Sequence, residues 1–434
     1  MQEREALPYP PALNSWGVVG VLLLAYIVSL LDRQILALMI DPISRDLGLS
    51  DVEMGLLHGT AFVMFYATLG FVMGRVADRY NRRNLIILGI TIWCFATIAS
   101  GFADSFLELF LARMMLGAGE AALAPAAYSM IADIFPPEKR GRASGTFSMG
   151  IFMGAGISMI FGGIAIAITT TGGPIDLPLA GERTSWQATF IIVGLPGLLI
   201  AGMMAFVREP ARRERAGADA GSLSAAAAGF MRGNALLLTL MVAGFALNNM
   251  ASHGLNSWLP TFFIRNFGWT PQQFGTMYGI MLLVLGSAGI MFGGWLADRL
   301  LVRGRADAPL FTVQCAMTIM TLAAFGLALV QTPSAIVAVL CLFTFVVAIP
   351  AGLAPVAIYQ IVPNEYRGQL IAIYLLTAAV LGLGLSPVLI AGVSEYVFRD
   401  ELALGKSAGL TGAAAGLAGT ICIMAVRRLI ARRG

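Results

Sequence analysis

The chain has 434 residues, 58% of them apolar and only 12% charged, with a net charge of +4. A soluble domain carries about twice that share of charged residues, so soluble classes are excluded, and so small a positive excess leaves no footprint for nucleic acid. Cys94, Cys315, Cys341 and Cys422 lie singly within apolar runs, without metal or redox spacing, so neither a metal site nor a cofactor is expected.

Apolar runs of the roughly 20 residues that a bilayer requires fall at 16–40, 52–73, 84–103, 106–134, 143–170, 188–207, 234–263, 272–297, 308–330, 334–361, 369–393 and 407–427. All twelve are predicted to be helices, the form that satisfies its own backbone hydrogen bonds in lipid. The first run carries Tyr26, Asp32 and Arg33, and the second carries His58. Between the second and third stands GRVADRYNRR, Gly74–Arg83. The fourth holds Arg113 and Glu120 around Gly117 and Gly119, and ends near Asp133. Gly150–Gly163 of the fifth is glycine-rich, which suits close helix packing. The stretch 208–233 is polar, basic and then Ala-rich, and is predicted to be a linker on the same side as the termini, its arginines anchoring topology at lipid headgroups. In the seventh run Asn249, His253 and Asn256 follow a spacing that puts them on one helical face. Such a stripe suits cavity lining or interhelical hydrogen bonds equally well. Pro350, Pro355 and Pro387 can bend the tenth and eleventh runs.

Two strings recur. GWLADRLLVR at Gly294–Arg303 repeats Gly74–Arg83 at an offset of 220 residues, and EYRG at Glu365–Gly368 repeats EKRG at Glu138–Gly141 at an offset of 227. The chain therefore reads as two copies of one six-helix bundle, 1–207 and 234–434, joined by 208–233. That organisation is expected of a transporter whose site lies at the repeat interface. Twenty-one Lys and Arg residues fall on the loops and ends on one side of the predicted spans, and five on the other. This bias predicts that both termini are cytoplasmic, in a multi-pass protein of the inner (plasma) membrane. The N-terminal segment lacks a basic n-region and a cleavage site, so no removable signal peptide is expected. Nothing in the pattern demands an oligomer, and a monomer is expected.

Asp32, Arg33, Arg113 and Glu120 lie where the runs cross the hydrocarbon. Each charge at a helix centre costs about 2.5–3.5 kcal/mol, so four cost on the order of 10 kcal/mol unless they compensate one another or face water. Arg113 and Glu120 are two turns apart on one helical face, about 10 Å along the axis, whereas Asp32 and Arg33 diverge by about 100°. The expected arrangement sets Asp32 toward Arg113 and Arg33 toward Glu120. A static structural quartet is the plain alternative, and buried ion pairs are poor stabilisers compared with apolar packing. In the functional reading an arginine leaves its carboxylate for an anionic substrate, and the unpartnered carboxylate takes up a proton. Asp32 and Glu120 are then the proton-coupling residues. Arg33 and Arg113, with Tyr26, Asn249, His253 and Asn256, form the substrate site.

Gly74–Arg83 matches the loop signature Gly-x-x-x-Asp-Arg-x-x-Arg-Arg, and the chain resembles the major facilitator superfamily on that ground. The resemblance implies an all-α membrane protein of twelve transmembrane helices, in two pseudo-symmetric six-helix bundles with inverted three-helix repeats in each half. It also implies alternating access, with a cavity lined by helices 1, 4, 7 and 10. Gly74, Asp78, Arg79, Arg82 and Arg83, with Asp298 and Arg299 of the looser second copy, would then form a cytoplasmic gate in which Asp133 partners Arg79. LDRQ at Leu31–Gln34, DRYNRR at Asp78–Arg83 and the stretch Leu116–Ala143 resemble the Spinster branch. That likeness implies export or movement of lysolipids or sphingoid phosphates with proton coupling. The best function is therefore a proton-coupled carrier of an amphipathic anion, a lysolipid or sphingolipid-like phosphate, with a symporter for small organic or sugar acids as the alternative. The expected partners are a small-molecule or lipid-like substrate, protons and the bilayer. An intramembrane enzyme is disfavoured: the sequence offers no H-E-x-x-H zinc site, no strained G-x-S-x-G turn and no phosphate loop.

Overall fold

The computed structural model describes residues 9–170, 175–177, 180–213, 225–363 and 366–432. Arg4, Arg215, Glu365, Arg433 and linker residues 214–224 lie outside the described residues. Twelve helices span the molecule: α1 (Ala12–Leu38), α2 (51–79), α3 (Arg82–Ser100), α4 (Phe106–Glu120 continued by Leu123–Ile134), α5 (Pro137–Thr170), α6 (Ser185–Ala205), α7 (Ala235–Phe267), α8 (Pro271–Val302), α9 (Ala308–Leu329), α10 (Pro333–Ile361), α11 (Gln369–Phe398) and α12 (Glu401–Ala431). Eleven are individually long and apolar enough to cross a bilayer. The fourth is the exception, because the predicted run 106–134 is broken at Ala121–Ala122 into pieces of 15 and 12 residues. Pro125 is the reason: it has no N–H to offer the carbonyl of Ala121 four residues back. The helix therefore re-starts one residue after the break, with the proline in its first turn.

Local signals set the other ends. Ser50 and Glu53 form a reciprocal capping box at the start of α2, and Thr270 and Gln273 do the same for α8. Gly268 closes α7 in the left-handed conformation, φ 66°. The all-helical expectation misses one small element, an antiparallel pairing of β1 (Ile175–Leu177) with β2 (Gly181–Arg183) between α5 and α6.

The helices form two six-helix lobes, α1–α6 and α7–α12. Three apolar cores hold them. One is built from buried residues of the first lobe, such as Leu22, Trp93, Leu116 and Phe147, and one from the second, such as Phe245, Met317 and Ile358. The third mixes both lobes, Leu36, Met39 and Met159 packing with Leu255, Phe263 and Phe274. This shared core lies on the face away from the termini, so the lobes are joined at that far face and parted at the termini face. Glycines bring the backbones together along the seam. A Cβ on Gly59 of α2 would meet the Leu383 carbonyl of α11 at 2.3 Å, and one on Gly156 of α5 would meet the Gly279 carbonyl of α8 at 2.6 Å. The α2–α11 crossing joins two π-bulged turns, Leu56–Thr60 and Ala379–Leu385, and the Thr60 hydroxyl donates across it to the Gly384 carbonyl at 3.0 Å. At the termini face a Cβ on Gly70, Gly74, Gly141 or Gly145 would meet nothing within 4 Å.

Candidate functional site

Helices α1 and α4 bring the four intramembrane charges together. Asp32, Arg113 and Glu120 are all but closed off, at 2%, 1% and 4% exposure. Arg33 keeps 19% of its side chain open. Arg33 Nη2 donates to Glu120 Oε2 in a direct ion pair, as expected. The other half of the expected arrangement differs. Arg113 Nη1 donates to the backbone carbonyl of Asp32 at 3.2 Å, not to its carboxylate, and the Asp32 carboxyl lies beside the Thr97 hydroxyl of α3. The Asp32 backbone carbonyl is an acceptor that side-chain spacing leaves out, and Arg113 takes it while the carboxyl turns to α3. The formal charges still sum to zero. Asp32 Oδ1, Glu120 Oε1, Arg33 Nε and Arg113 Nε have no hydrogen-bond partner among the described residues, which leaves the cluster with unused polar capacity at membrane depth.

Small residues make this geometry. A Cβ on Gly117 would stand 2.2 Å from the Phe62 carbonyl of α2, and one on Gly119 would stand 2.7 Å from the Gly89 carbonyl of α3. These glycines thus draw α4 against α2 and α3, with Glu120 at the last turn before the Pro125 break. Close approach of α2 also sets Phe62 and Tyr66 beneath Arg33, whose guanidinium lies 4.2 Å and 4.9 Å from the two ring centroids. Sequence reasoning missed this pair. The only signal was the i, i+4 spacing, which any apolar helix face shares.

Other predicted site residues divide. Tyr26 stacks on Phe147 at 5.1 Å, and Phe147 meets Tyr128 edge-on at 5.2 Å. Tyr26 and His253 both lie within electrostatic reach of Arg33. Asn249 and Asn256 do not share that role. Asn249 Nδ2 donates to the Tyr374 hydroxyl of α11 at 3.3 Å, and Asn256 Oδ1 accepts from the Tyr278 hydroxyl of α8. They tie α7 to neighbours on its two sides, so both asparagines of the stripe make interhelical bonds. Gly405–Gly409, GKSAG, does spell G-x-S-x-G, but within helix α12 and with Ser407 fully buried, so it forms no nucleophile turn. Every buried charged side chain among the described residues lies between Asp32 and Asp133. The second lobe contributes no buried charge there.

The predicted gate residues are not latched at the termini face. Asp78, Arg79, Asp298 and Arg299 are exposed. Asp133 partners Arg82, not Arg79 as expected. Arg82 is fully buried and donates to Asp133, to Glu209 at 2.8 Å, to the Ser129 carbonyl at 3.1 Å and to the Pro210 carbonyl at 2.8 Å. Arg79 ends α2 facing solvent, while Arg82 opens α3 and points inward to the end of α4. The linker joins the same knot: the Arg83 N–H donates to Glu209, Arg212 donates to the carbonyls of Ala77 and Tyr80, and Arg213 donates to Asp133. The linker arginines therefore bind the first lobe in addition to any headgroup contact. Arg82→Ala strands Asp133 and Glu209 without their cation, a loss of about 3–5 kcal/mol. The expected result is a melting temperature lowered by several degrees in detergent, read by tryptophan fluorescence, and an unchanged melting curve would refute the knot.

The far face carries the opposite arrangement. Arg265 of α7 donates to Asp41 at 2.7 Å and, with both terminal nitrogens, to Asp51 at 2.8 Å. Asp41 and Asp51 flank the α1–α2 connection, so this cluster joins the two lobes. The Val52 N–H donates to Glu395 of α11 at 3.4 Å beside it.

A Major Facilitator Superfamily model matches residues 22–387. Among curated proteins, an MFS-type efflux pump of Mycolicibacterium smegmatis is 28% identical over 94% of this chain and 92% of its own. Protein spinster of Drosophila melanogaster is 22% identical over 92% of this chain and 65% of its own, and a hexuronate transporter of Bacillus subtilis is 25% identical over 81% and 82%. A solved structure of a bacterial homologue of the human lysosomal transporter Spinster, inward-facing and occupied, superposes with a TM-score of 0.79 at 23% identity, covering 96% of this chain and 98% of that one.

Proposed function

We propose that this chain, which belongs to the major facilitator superfamily, is a proton-coupled carrier that moves an amphipathic organic anion by alternating access. The observation that carries the reading is the Arg33–Glu120 pair, a buried carboxylate bound to a partly open arginine. It stands below a cleft that is shut at the far face and open at the termini face. Arg33 offers an anion a charge-assisted contact, and Glu120 accepts a proton when Arg33 is engaged elsewhere. The aromatic wall of Tyr26, Phe147 and Tyr128 and a second lobe without a buried charged side chain suit an acyl tail. In this scheme 1–207 and 234–434 are the moving bodies and 208–233 is the strap between them. The termini are cytoplasmic, and Asp78, Arg79, Asp298 and Arg299 latch only when the termini face closes. A lysolipid or sphingolipid-like phosphate is the favoured cargo, as the resemblance of Leu31–Gln34, Asp78–Arg83 and Leu116–Ala143 to the Spinster branch implies. The hexuronate relative favours a second reading, symport of small organic acids.

Purified protein in liposomes with an imposed pH gradient separates the two. Under the first reading a labelled lysophospholipid accumulates, other lysophospholipids displace it, and glucuronate does not. Displacement by glucuronate, with no lysophospholipid accumulation, would establish the second. Uptake of either that ignores the pH gradient would remove proton coupling.

A further inference from the structure

Arg33 has two kinds of partner. Glu120 holds it by charge, and that hold weakens once Glu120 gains a proton. Phe62 and Tyr66 hold it by their ring faces, at 4.2 Å and 4.9 Å, and that hold does not depend on protons. The rings stack on each other at 4.9 Å and 27°, one helical turn apart on α2, so they form a single platform. Phe62 is 2% exposed and its carbonyl is fixed against Gly117 of α4, the same helix that carries Glu120. Platform and carboxylate are therefore set relative to one another by one close helix contact.

We propose that Phe62 and Tyr66 are positioning residues for Arg33: they keep the guanidinium in register at the cleft after Glu120 is protonated, so that Arg33 meets an anion without first swinging through the hydrocarbon. The proposal rests on reading Arg33 as the anion contact and Glu120 as the proton acceptor. It adds that the arginine stays put between the two states, and that specificity for an anionic headgroup depends on two uncharged rings. Replacing a ring removes the π-face and frees the side chain to other rotamers, whereas exchanging Phe and Tyr preserves it.

The test reads Arg33 itself. Phenylglyoxal modification of Arg33 is followed by mass spectrometry on the full chain and normalised to exposed Arg79 in the same sample. Glu120→Gln stands in for the protonated state. Combined with Tyr66→Phe, it is expected to leave the labelling rate of Arg33 within about twofold of the parent. Combined with Tyr66→Leu, it is expected to raise that rate roughly tenfold, the scale of a lost partly desolvated cation–π contact. Phe62→Tyr against Phe62→Leu repeats the comparison, so a poorly folding Leu variant at one site leaves the other to decide. Equal labelling in the Leu and Phe or Tyr variants would overturn the proposal. Labelling is independent of transport, so a carrier that proves indifferent to pH would sink the proton-coupled reading without touching this result. In transport, Tyr66→Leu alone is expected to raise the half-saturating lysophospholipid concentration with the maximal rate kept, and Tyr66→Phe to restore it. A fall in maximal rate alone would mark the rings as merely structural.

Discussion

Glu120→Gln is expected to reduce uptake driven by a pH gradient at least about tenfold while leaving the folded carrier able to exchange labelled for unlabelled substrate. Glutamine matches glutamate in shape, and its amide oxygen can still accept from Arg33 where Oε2 does now. What it cannot do is change charge. With Gln in place, no proton need enter or leave as Arg33 alternates between its carboxylate and an anion, so the gradient has nothing to act on. Exchange at equal pH requires only the rocking of loaded protein, which the substitution leaves alone. Accumulation by a Glu120→Gln protein at the native level would place the proton elsewhere. Asp32→Asn is the companion measurement. Asp32 makes no hydrogen-bonded ion pair with Arg113, so it tests a carboxylate with Thr97 beside it and an unused oxygen. Loss of coupling in both variants is expected if the two carboxylates share the work.

Much of this site could be read from the chain, for a reason peculiar to lipid. Charges in hydrocarbon are so unfavourable that four of them must meet, and helical periodicity alone then points Arg33 at Glu120. The same reasoning went astray where an oxygen could come from the backbone. Arg113 found the Asp32 carbonyl because an arginine at membrane depth donates to any oxygen in reach, and side-chain patterns do not include carbonyls. The motif points Asp133 at Arg79, yet Arg82 begins the next helix and is the one that points inward. The break at Ala121–Ala122 was written in Pro125, four residues on, but hidden by an apolar run that stays unbroken in composition. Phe62 and Tyr66 were illegible because aromatic residues on a membrane helix face lipid as readily as a neighbour. Only the glycine contact at Gly117 decides which.

Arg265→Gln is expected to shift the carrier toward opening at the far face. Arg265 is the shared counter-charge of Asp41 and Asp51, which are 8% and 9% exposed. Without it two nearly buried carboxylates in the closed far face stand opposite an uncharged amide, an arrangement that costs about 3–5 kcal/mol. Opening relieves that cost by letting water reach both. Since each 1.4 kcal/mol is about tenfold in an equilibrium, the ratio of far-open to far-closed molecules should rise by roughly a hundredfold or more. The apolar seam opposes the shift, because Gly59, Gly156 and the shared core still pack across it, and so the protein should remain folded. Spin labels at exposed Arg45 and Gln331, in a background without the four native cysteines, report the far-face separation by pulsed electron resonance. A longer distance in Arg265→Gln than in the parent is the expected outcome. An unchanged distance distribution would mean that the glycine seam alone holds the far face closed and the ion cluster is incidental. If opening is confirmed, transport should also slow, because a carrier biased to one face completes fewer cycles even when its central site is untouched.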